Sequence, residues 1–385
     1  MPMPMPMRFH MPLRRHMPWR FHLPLPTPHP PAPAPGRSAA SRRAAAALGA
    51  LLVALTLLAP PARAGTGWRQ LPGTGDDGPV TVYYPSAAAE QPVRQGWQEQ
   101  PLAPDAPPQA GNGRLVVISH GSGGAPWVHG DLARALVAAG FVVAFPQHQG
   151  DHSRDTRWRG PQSWARRPAE VSRAIDAVAR DAGLAPLLKL DRVGLYGMSA
   201  GGHTALSLAG GRWSPARFAQ HCQAHLAEDF QTCVGLATSL TGGWADGLKQ
   251  WVARRVLAWA FSDDQWQTHD DPRIAAVAAA VPLAADFDLA SLATPRVPLA
   301  LLTAGQDRWL VPRFHSDALL QACRRCERLA DLPGAGHGAY LSPFPPGLSG
   351  LEGEMLNDPP GFDRSVLPAV DARVVDYFRR HLLAS

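Results

Sequence analysis

Gly197-Met198-Ser199-Ala200-Gly201 constrains the fold more than any other stretch, because it has the form G-x-S-x-G between a predicted strand and a predicted helix. The strand spans 192–196, and the helix runs from Ala200 to Ala209 through Gly201, Gly202 and Ala205, small residues that pack close to a sheet. A chain that passes from strand to helix in one residue needs glycine two positions away on each side to avoid clashes. Ser199 is then presented at the end of the sheet, beside the unpaired first N–H groups of the helix, which favour negative charge. Such a turn reads as a nucleophile elbow, with Ser199 as the attacking hydroxyl and the N–H of Ala200 as one donor of an oxyanion hole. The same pentapeptide also arises by chance in Gly/Ser-rich loops, so partners elsewhere in the chain must carry the rest.

The runs Leu115-Val116-Val117-Ile118 and Phe141-Val142-Val143-Ala144-Phe145 are short and wholly apolar, as in strands buried on both faces. Further strands are expected at 80–84, 274–283, 297–303 and 328–332, and helices at 127–139, 168–182, 312–326 and 366–383. The alternation predicts an α/β fold with a mostly parallel central sheet and helices on both faces. Residues 86–113, rich in Ala, Gln and Pro, read as an extended surface loop with little chemistry. Over about 210–271 the alternation breaks, which predicts an inserted helical cap holding Trp213, Trp244, Trp251, Trp259 and Trp266 and an amphipathic helix over 248–261. Those tryptophans are expected either to line an apolar pocket over Ser199 or to glue the cap to the body.

A serine hydroxyl needs a base within hydrogen-bond reach, itself oriented by a carboxylate. Asp307 falls just after one predicted strand and His337 in the glycine-rich loop after the next, so both are expected at the sheet edge that carries Ser199. Asp286 and Asp288 compete with Asp307 for the acid's place. Ser119-His120-Gly121-Ser122-Gly123-Gly124 follows a central strand, and the N–H of Ser122 is the expected second oxyanion donor. No lysine follows as a phosphate loop would require. His120 and His203 are expected to brace the oxyanion loop and the elbow helix. His148, Asp151, His152 and Asp155 are of metal-ligand type, but loops after strands are commonly polar, and the expected chemistry calls for neither metal nor organic cofactor.

Before this domain lies a different kind of sequence. Residues 1–36 form a Met/Pro/His/Arg-rich leader without apolar periodicity, and Met clusters at positions 1, 3, 5, 7, 11 and 17, which suggests a translation start at Met17 or later. Residues 37–64 read as a signal peptide: Arg37, Arg42 and Arg43, the apolar run Ala44–Leu58, then Ala62-Arg63-Ala64 as a cleavage site. The run is too short for a membrane span of roughly 20 residues. Ser41-Arg42-Arg43 hints only weakly at a twin-arginine route. Cleavage near Ala64 would export the chain and remove eight arginines and no acid, so 37 basic residues become 29 against 31 acidic ones. The basic surplus therefore belongs to the leader, which argues against nucleic acid as a partner. Cys222, Cys233, Cys323 and Cys326 are an even set suited to an oxidising compartment. Proximity favours Cys222 with Cys233 and Cys323 with Cys326, while C-x-x-C at 323–326 leaves redox and metal readings open.

The segments Ser119–Gly124, Gly197–Gly202, Asp271-Pro272-Arg273-Ile274 and Gly334-Ala335-Gly336-His337 together resemble the dienelactone-hydrolase-like α/β-hydrolases, akin to platelet-activating-factor acetylhydrolases and bacterial polyester hydrolases. The resemblance covers roughly 80–383. It implies the α/β-hydrolase fold, with its chain order Ser, Asp, His, and an acyl-enzyme mechanism on a small-molecule or lipid-like ester. True dienelactone hydrolases carry a cysteine where this elbow has Ser199, which moves the expectation from lactones to carboxylic esters. A peptidase or amidase on the same triad, and a non-catalytic binding protein on the scaffold, are the competing readings.

Overall fold

The computed structural model describes residues 65–344 and 347–384; the expected leader (1–36) and the expected signal peptide (37–64) lie outside the described residues. The strands are β1 (Gly65–Leu71), β2 (Val80–Ser86), β3 (Gln91–Gln95), β4 (Gln98–Pro104), β5 (Leu115–Ser119), β6 (Val142–Pro146), β7 (Val193–Met198), β8 (Ile274–Ala280), β9 (Leu299–Ala304) and β10 (Glu327–Leu332). They form one ten-stranded sheet in the order β10-β9-β8-β7-β5-β6-β2-β1-β4-β3. From β6 to β10 every neighbouring pair is parallel, while β2 runs antiparallel to both β6 and β1. The fold is thus mixed α/β with a mostly parallel sheet, as the strand-helix alternation predicts.

Helices cover both faces. On one, α1 (Gly130–Ala138) and α9 (Leu367–Leu382) contribute Leu132, Leu136, Val374 and Phe378 to a core that also takes Val116 and Ile118 of β5. On the other, α2 (Pro161–Arg180) and α3 (Ala200–Leu208) contribute Val171, Ile175 and Leu206 beside Leu115 and Val117. Successive residues of a strand face opposite sides, so an all-apolar β5 fits only where both sides are dry. Between α3 and β8 lie α4 (Pro215–His225), α5 (Phe230–Val234) and α6 (Asp246–Ala260); α7 (Ser316–Ala322) and α8 (Gly350–Leu356) follow later.

Three differences from the sequence expectation have physical causes. Residues 86–113 are not one loop: β3 and β4 pair antiparallel around the two-residue turn Gly96-Trp97, with Gly96 at φ 58°. Hydrogen bonding to β1 recruits this polar hairpin to the sheet where its composition gives no apolar alternation. The helix expected from Pro168 begins at Pro161, because Gly160 at φ 94° breaks the chain there and Pro at the first helical position is favourable. Pro168 sits inside α2, where it has no N–H to give to the helix ladder. The helix expected over 312–326 is a 3-10 turn at Pro312–Phe314 followed by α7, since Cys323–Cys326 close a turn into β10.

Of the five tryptophans expected to line or glue the inserted segment, only Trp213 is buried; Trp244, Trp251, Trp259 and Trp266 face solvent. Sγ atoms of Cys222 and Cys233 lie 2.11 Å apart, tying α4 to α5, and those of Cys323 and Cys326 lie 1.99 Å apart.

The core also holds imidazoles. His120, His129 and His148 are fully enclosed, and burial holds all three below their ordinary pKa, His129 at about 4. They are neutral when folded and take up a proton readily only when unfolded. Stability is therefore complete above about pH 6.5 and falls below it, by about 1.4 kcal/mol per pH unit for each ring until its folded pKa is reached. Urea melts at about pH 7 and about pH 5 should show this loss. Neither ring nitrogen of His129 has a partner among the described residues, so His129→Phe should hold or raise stability near neutrality and shrink the acid loss. A stability that does not change between the two pH values would contradict the assignment.

Candidate active site

The connection after β5 leads to β6 on one side, and β7 lies on the other. Strand order reverses at that point, which opens a crevice at the C-terminal ends of the strands where open α/β sheets bind ligands. Ser199 stands at its lip, between β7 and α3.

Ser199 has φ 59° and ψ −119°, a backbone conformation that costs a non-glycine residue about 1–3 kcal/mol. Three hydrogen bonds hold it there: its N–H donates to the Ala280 carbonyl at 3.0 Å, and its carbonyl accepts from the N–H of His203 at 3.0 Å and of Leu283 at 3.3 Å. A Cβ at Gly197 would stand 2.0 Å from the Gly201 carbonyl oxygen, and one at Gly201 1.9 Å from that of Ser119. Backbone occupies both places, so neither admits a side chain.

His337 Nε2 lies 3.0 Å from Ser199 Oγ, and His337 Nδ1 lies 2.7 Å from Asp307 Oδ2. The other Asp307 oxygen accepts the N–H groups of Trp309 at 2.8 Å and Leu310 at 2.9 Å. An ionised carboxylate only accepts, so the imidazole proton belongs on Nδ1 and Nε2 is left to accept from the serine hydroxyl. Side chains from the loops after β7, β9 and β10 thus meet at one sheet edge, in an arrangement able to draw the hydroxyl proton as the oxygen attacks. The two rival acids are engaged elsewhere: Asp286 with His203 Nε2 at 2.9 Å, and Asp288 with Arg212 at 2.6 Å on the surface. His203 accordingly ties the elbow helix to the loop after β8.

Ser122 and Ala200 line the same cleft as Ser199. Ala200 is the first residue of α3, so no intrahelical carbonyl faces its N–H. Among the described residues the backbone N–H of Ser122 makes no hydrogen bond, whereas its hydroxyl donates to Asp151 Oδ1 at 2.7 Å and the Gly123 N–H to the same oxygen at 2.8 Å. Beneath them, fully buried Arg167 donates to Asp151 Oδ2 at 2.8 Å, to the His120 carbonyl at 2.6 Å and to Ser163 Oγ at 2.9 Å. Burial alone would raise the Asp151 carboxyl, but the Arg167 guanidinium and the hydrogen bonds from Ser122, Gly123 and Ser163 hold it well below the carboxylate range. Behind this pair, Ser119 Oγ lies 2.8 Å from His148 Nε2, and His148 Nδ1 lies 2.5 Å from Glu170. His120 bonds the Gly121 carbonyl through Nδ1 at 2.8 Å, and its ring lies 4.8 Å from that of His148. His148 and Asp151, two of the four residues of metal-ligand type in this loop, are thus buried hydrogen-bond partners.

Two clefts open on Ser199. The larger, about 510 Å³, is walled by Trp164, Phe218, Phe261 and Trp309. The smaller, about 290 Å³, takes Trp97 from the β3–β4 turn, Trp127 and Phe344. Arg159 lines both. The roof of the larger cleft is pinned at Asp229, which accepts from His221 Nε2 at 2.7 Å, His315 Nε2 at 3.1 Å, Thr232 Oγ1 at 2.8 Å and the Val311 N–H at 3.3 Å. Among the described residues His221, Asp229 and His315 form the one group spaced to hold a metal ion. However, His315 Nδ1 accepts the Ala284 N–H at 3.0 Å, which places the ring proton on Nε2 against Asp229, the reverse of what ligation through Nε2 needs.

Sequence reasoning missed Arg167, Glu170, Trp97 and Asp229. A signal existed for the first two: Ser163, Arg167 and Glu170 recur at i, i+4 and i+7, a polar stripe along one face of a helix.

No family model and no curated protein matches the chain. Among solved structures it is similar to the ferulic acid esterase from Streptomyces cinnamoneus, at 16% identity and a TM-score of 0.54, over 84% of this chain and 92% of that one. At that identity the likeness establishes the fold.

The Asp151–Arg167 pair makes a direct prediction. Asp151→Asn strands a buried guanidinium and should cost about 3–5 kcal/mol, seen as a lower urea midpoint at unchanged slope, together with faster amide exchange at Gly123. A cost below about 1 kcal/mol, the range of an exposed pair, would contradict a buried ionic role.

Proposed function

We propose that this chain is an exported serine hydrolase of the α/β-hydrolase fold that cleaves carboxylic esters, of the dienelactone-hydrolase-like and platelet-activating-factor-acetylhydrolase-like kind. The observation that carries the reading is the unbroken series Asp307, His337, Ser199, set on a strained turn whose flanking glycines admit nothing larger. Likeness in fold to a ferulic acid esterase supports an ester as the bond broken. The two disulfides and the signal sequence at 37–64 support export, and among the described residues no helix is long and apolar enough to cross a membrane.

In this mechanism His337 takes the Ser199 proton as Oγ attacks the ester carbonyl. The charge that grows on the carbonyl oxygen is met by the N–H groups of Ser122 and Ala200. Collapse releases the alcohol, which takes its proton from His337, and leaves an acyl-enzyme. Water then repeats the sequence: His337 removes its proton, the ester to Ser199 breaks, and the hydroxyl is restored. Asp307 stays ionised throughout and stabilises the imidazolium. The clefts on either side of Ser199 divide the substrate, and the aromatic walls of the larger suit an apolar or aromatic acyl group.

On p-nitrophenyl esters, Ser199→Ala and Asp307→Asn should each lower kcat by on the order of 10⁴-fold or more with little change in KM. That is a barrier increase of about 5.5 kcal/mol. A fluorophosphonate probe should label the protein and fail on folded Ser199→Ala, and the matching anilides should be left intact. Anilides cleaved as readily as esters would favour an amidase, and an unlabelled, folded wild type would favour a binding protein.

A further inference from the structure

Helix α6 is turned inside out. It buries only Ala253 and Leu257 against the rest of the chain. On the opposite side Leu248, Trp251, Val252, Val256 and Trp259 recur at i, i+3, i+4, i+8 and i+11, within about 140° of the helix circumference at 3.6 residues per turn. All are exposed, Leu248 at 59%, Trp251 at 57% and Trp259 at 82%, and Trp244 just before the helix is exposed at 93%. Surface helices ordinarily present their polar side to water, and a contiguous apolar face of this kind marks a site of contact with something else.

We infer that this face docks on the surface of a phospholipid bilayer that carries anionic headgroups. Charge selects the occupant. The ionic side chain within the apolar arc is Arg255, whose guanidinium lies 5.7 Å from the Trp251 ring. No carboxylate of this helix shares the arc: Asp246, its one acid, lies about 150° from the arc's centre at 3.6 residues per turn and is paired with Lys249 at 2.9 Å. A guanidinium on an aliphatic stem among tryptophans keeps its charge at headgroup level while the stem and the indoles lie in the apolar boundary. The same residue argues against a second copy of this chain. Antiparallel pairing of two such faces about their midpoint, between Ala253 and Arg254, sets Arg255 opposite Val252 and within one turn of its own counterpart, which buries two cations with no acid to meet them. The chain runs from α6 directly into Phe261, which lines the larger cleft.

The test needs no turnover and so stands apart from the hydrolase reading. The purified protein is sedimented with vesicles of phosphatidylcholine alone and of phosphatidylcholine mixed equally with phosphatidylglycerol. Binding is expected on the mixed vesicles and at least tenfold weaker on the neutral ones. The double substitution Trp251→Ser with Trp259→Ser, and separately Arg255→Glu, should each lower partitioning at least tenfold, with unchanged Tm and an unchanged rate on a soluble short-chain ester. Failure of the folded wild type to bind, equal binding of the double variant, or equal binding to both vesicle types would overturn the inference. So would a lipid-free dimer that the double variant abolishes.

Discussion

The site depends on a shortage of space between two neighbouring strands. β5 and β7 pair through Ser119 and Gly197, and α3 must leave the end of β7 while almost touching the carbonyl of Ser119. That approach is possible only for bare backbone, and it forces the intervening residue into a conformation side chains avoid. The strain is sustained because β8 supplies a carbonyl to the Ser199 amide, while α3 and the loop after β8 supply donors to its carbonyl. A serine hydroxyl held this way has few alternative positions, which is what a reaction needing one orientation requires.

Much of this was legible before any coordinates, because the residues concerned report on local geometry. Glycines at 197 and 201 announce the tight turn, the apolar run at 115–118 a central strand, and Asp307 and His337 follow predicted strands at spacings that place them on one edge. What stayed hidden were contacts made by elements whose ends were misjudged. A helix read as starting at Pro168 leaves 161–167 without structure, and Ser163, Trp164 and Arg167, which brace the loop after β5 and wall the cleft, lie in those two turns. Trp97 was hidden for a different reason. The strands that carry it are Gln- and Pro-rich, and they join the sheet through backbone pairing to β1 that composition does not disclose.

The loop after β5 rests on buried polar groups. Arg167 reaches three backbone carbonyls, a hydroxyl and a carboxylate, and His148 joins β5 to α2 through Ser119 and Glu170. Apolar packing alone would hold the loop's position but not the direction of its N–H groups. Hydrogen bonds to Ser122 and Gly123 do constrain direction, at the expense of burying charge.

Asp229 carries a mechanical consequence. It grips the amide of Val311, and the adjacent Leu310 offers its own amide to Asp307. One residue of backbone therefore separates the anchor of the roof from the carboxylate that aligns His337. Any displacement that released Val311 from Asp229 would pull on the strap that presents Asp307, so the wall of the cleft and the alignment of His337 share one short length of chain.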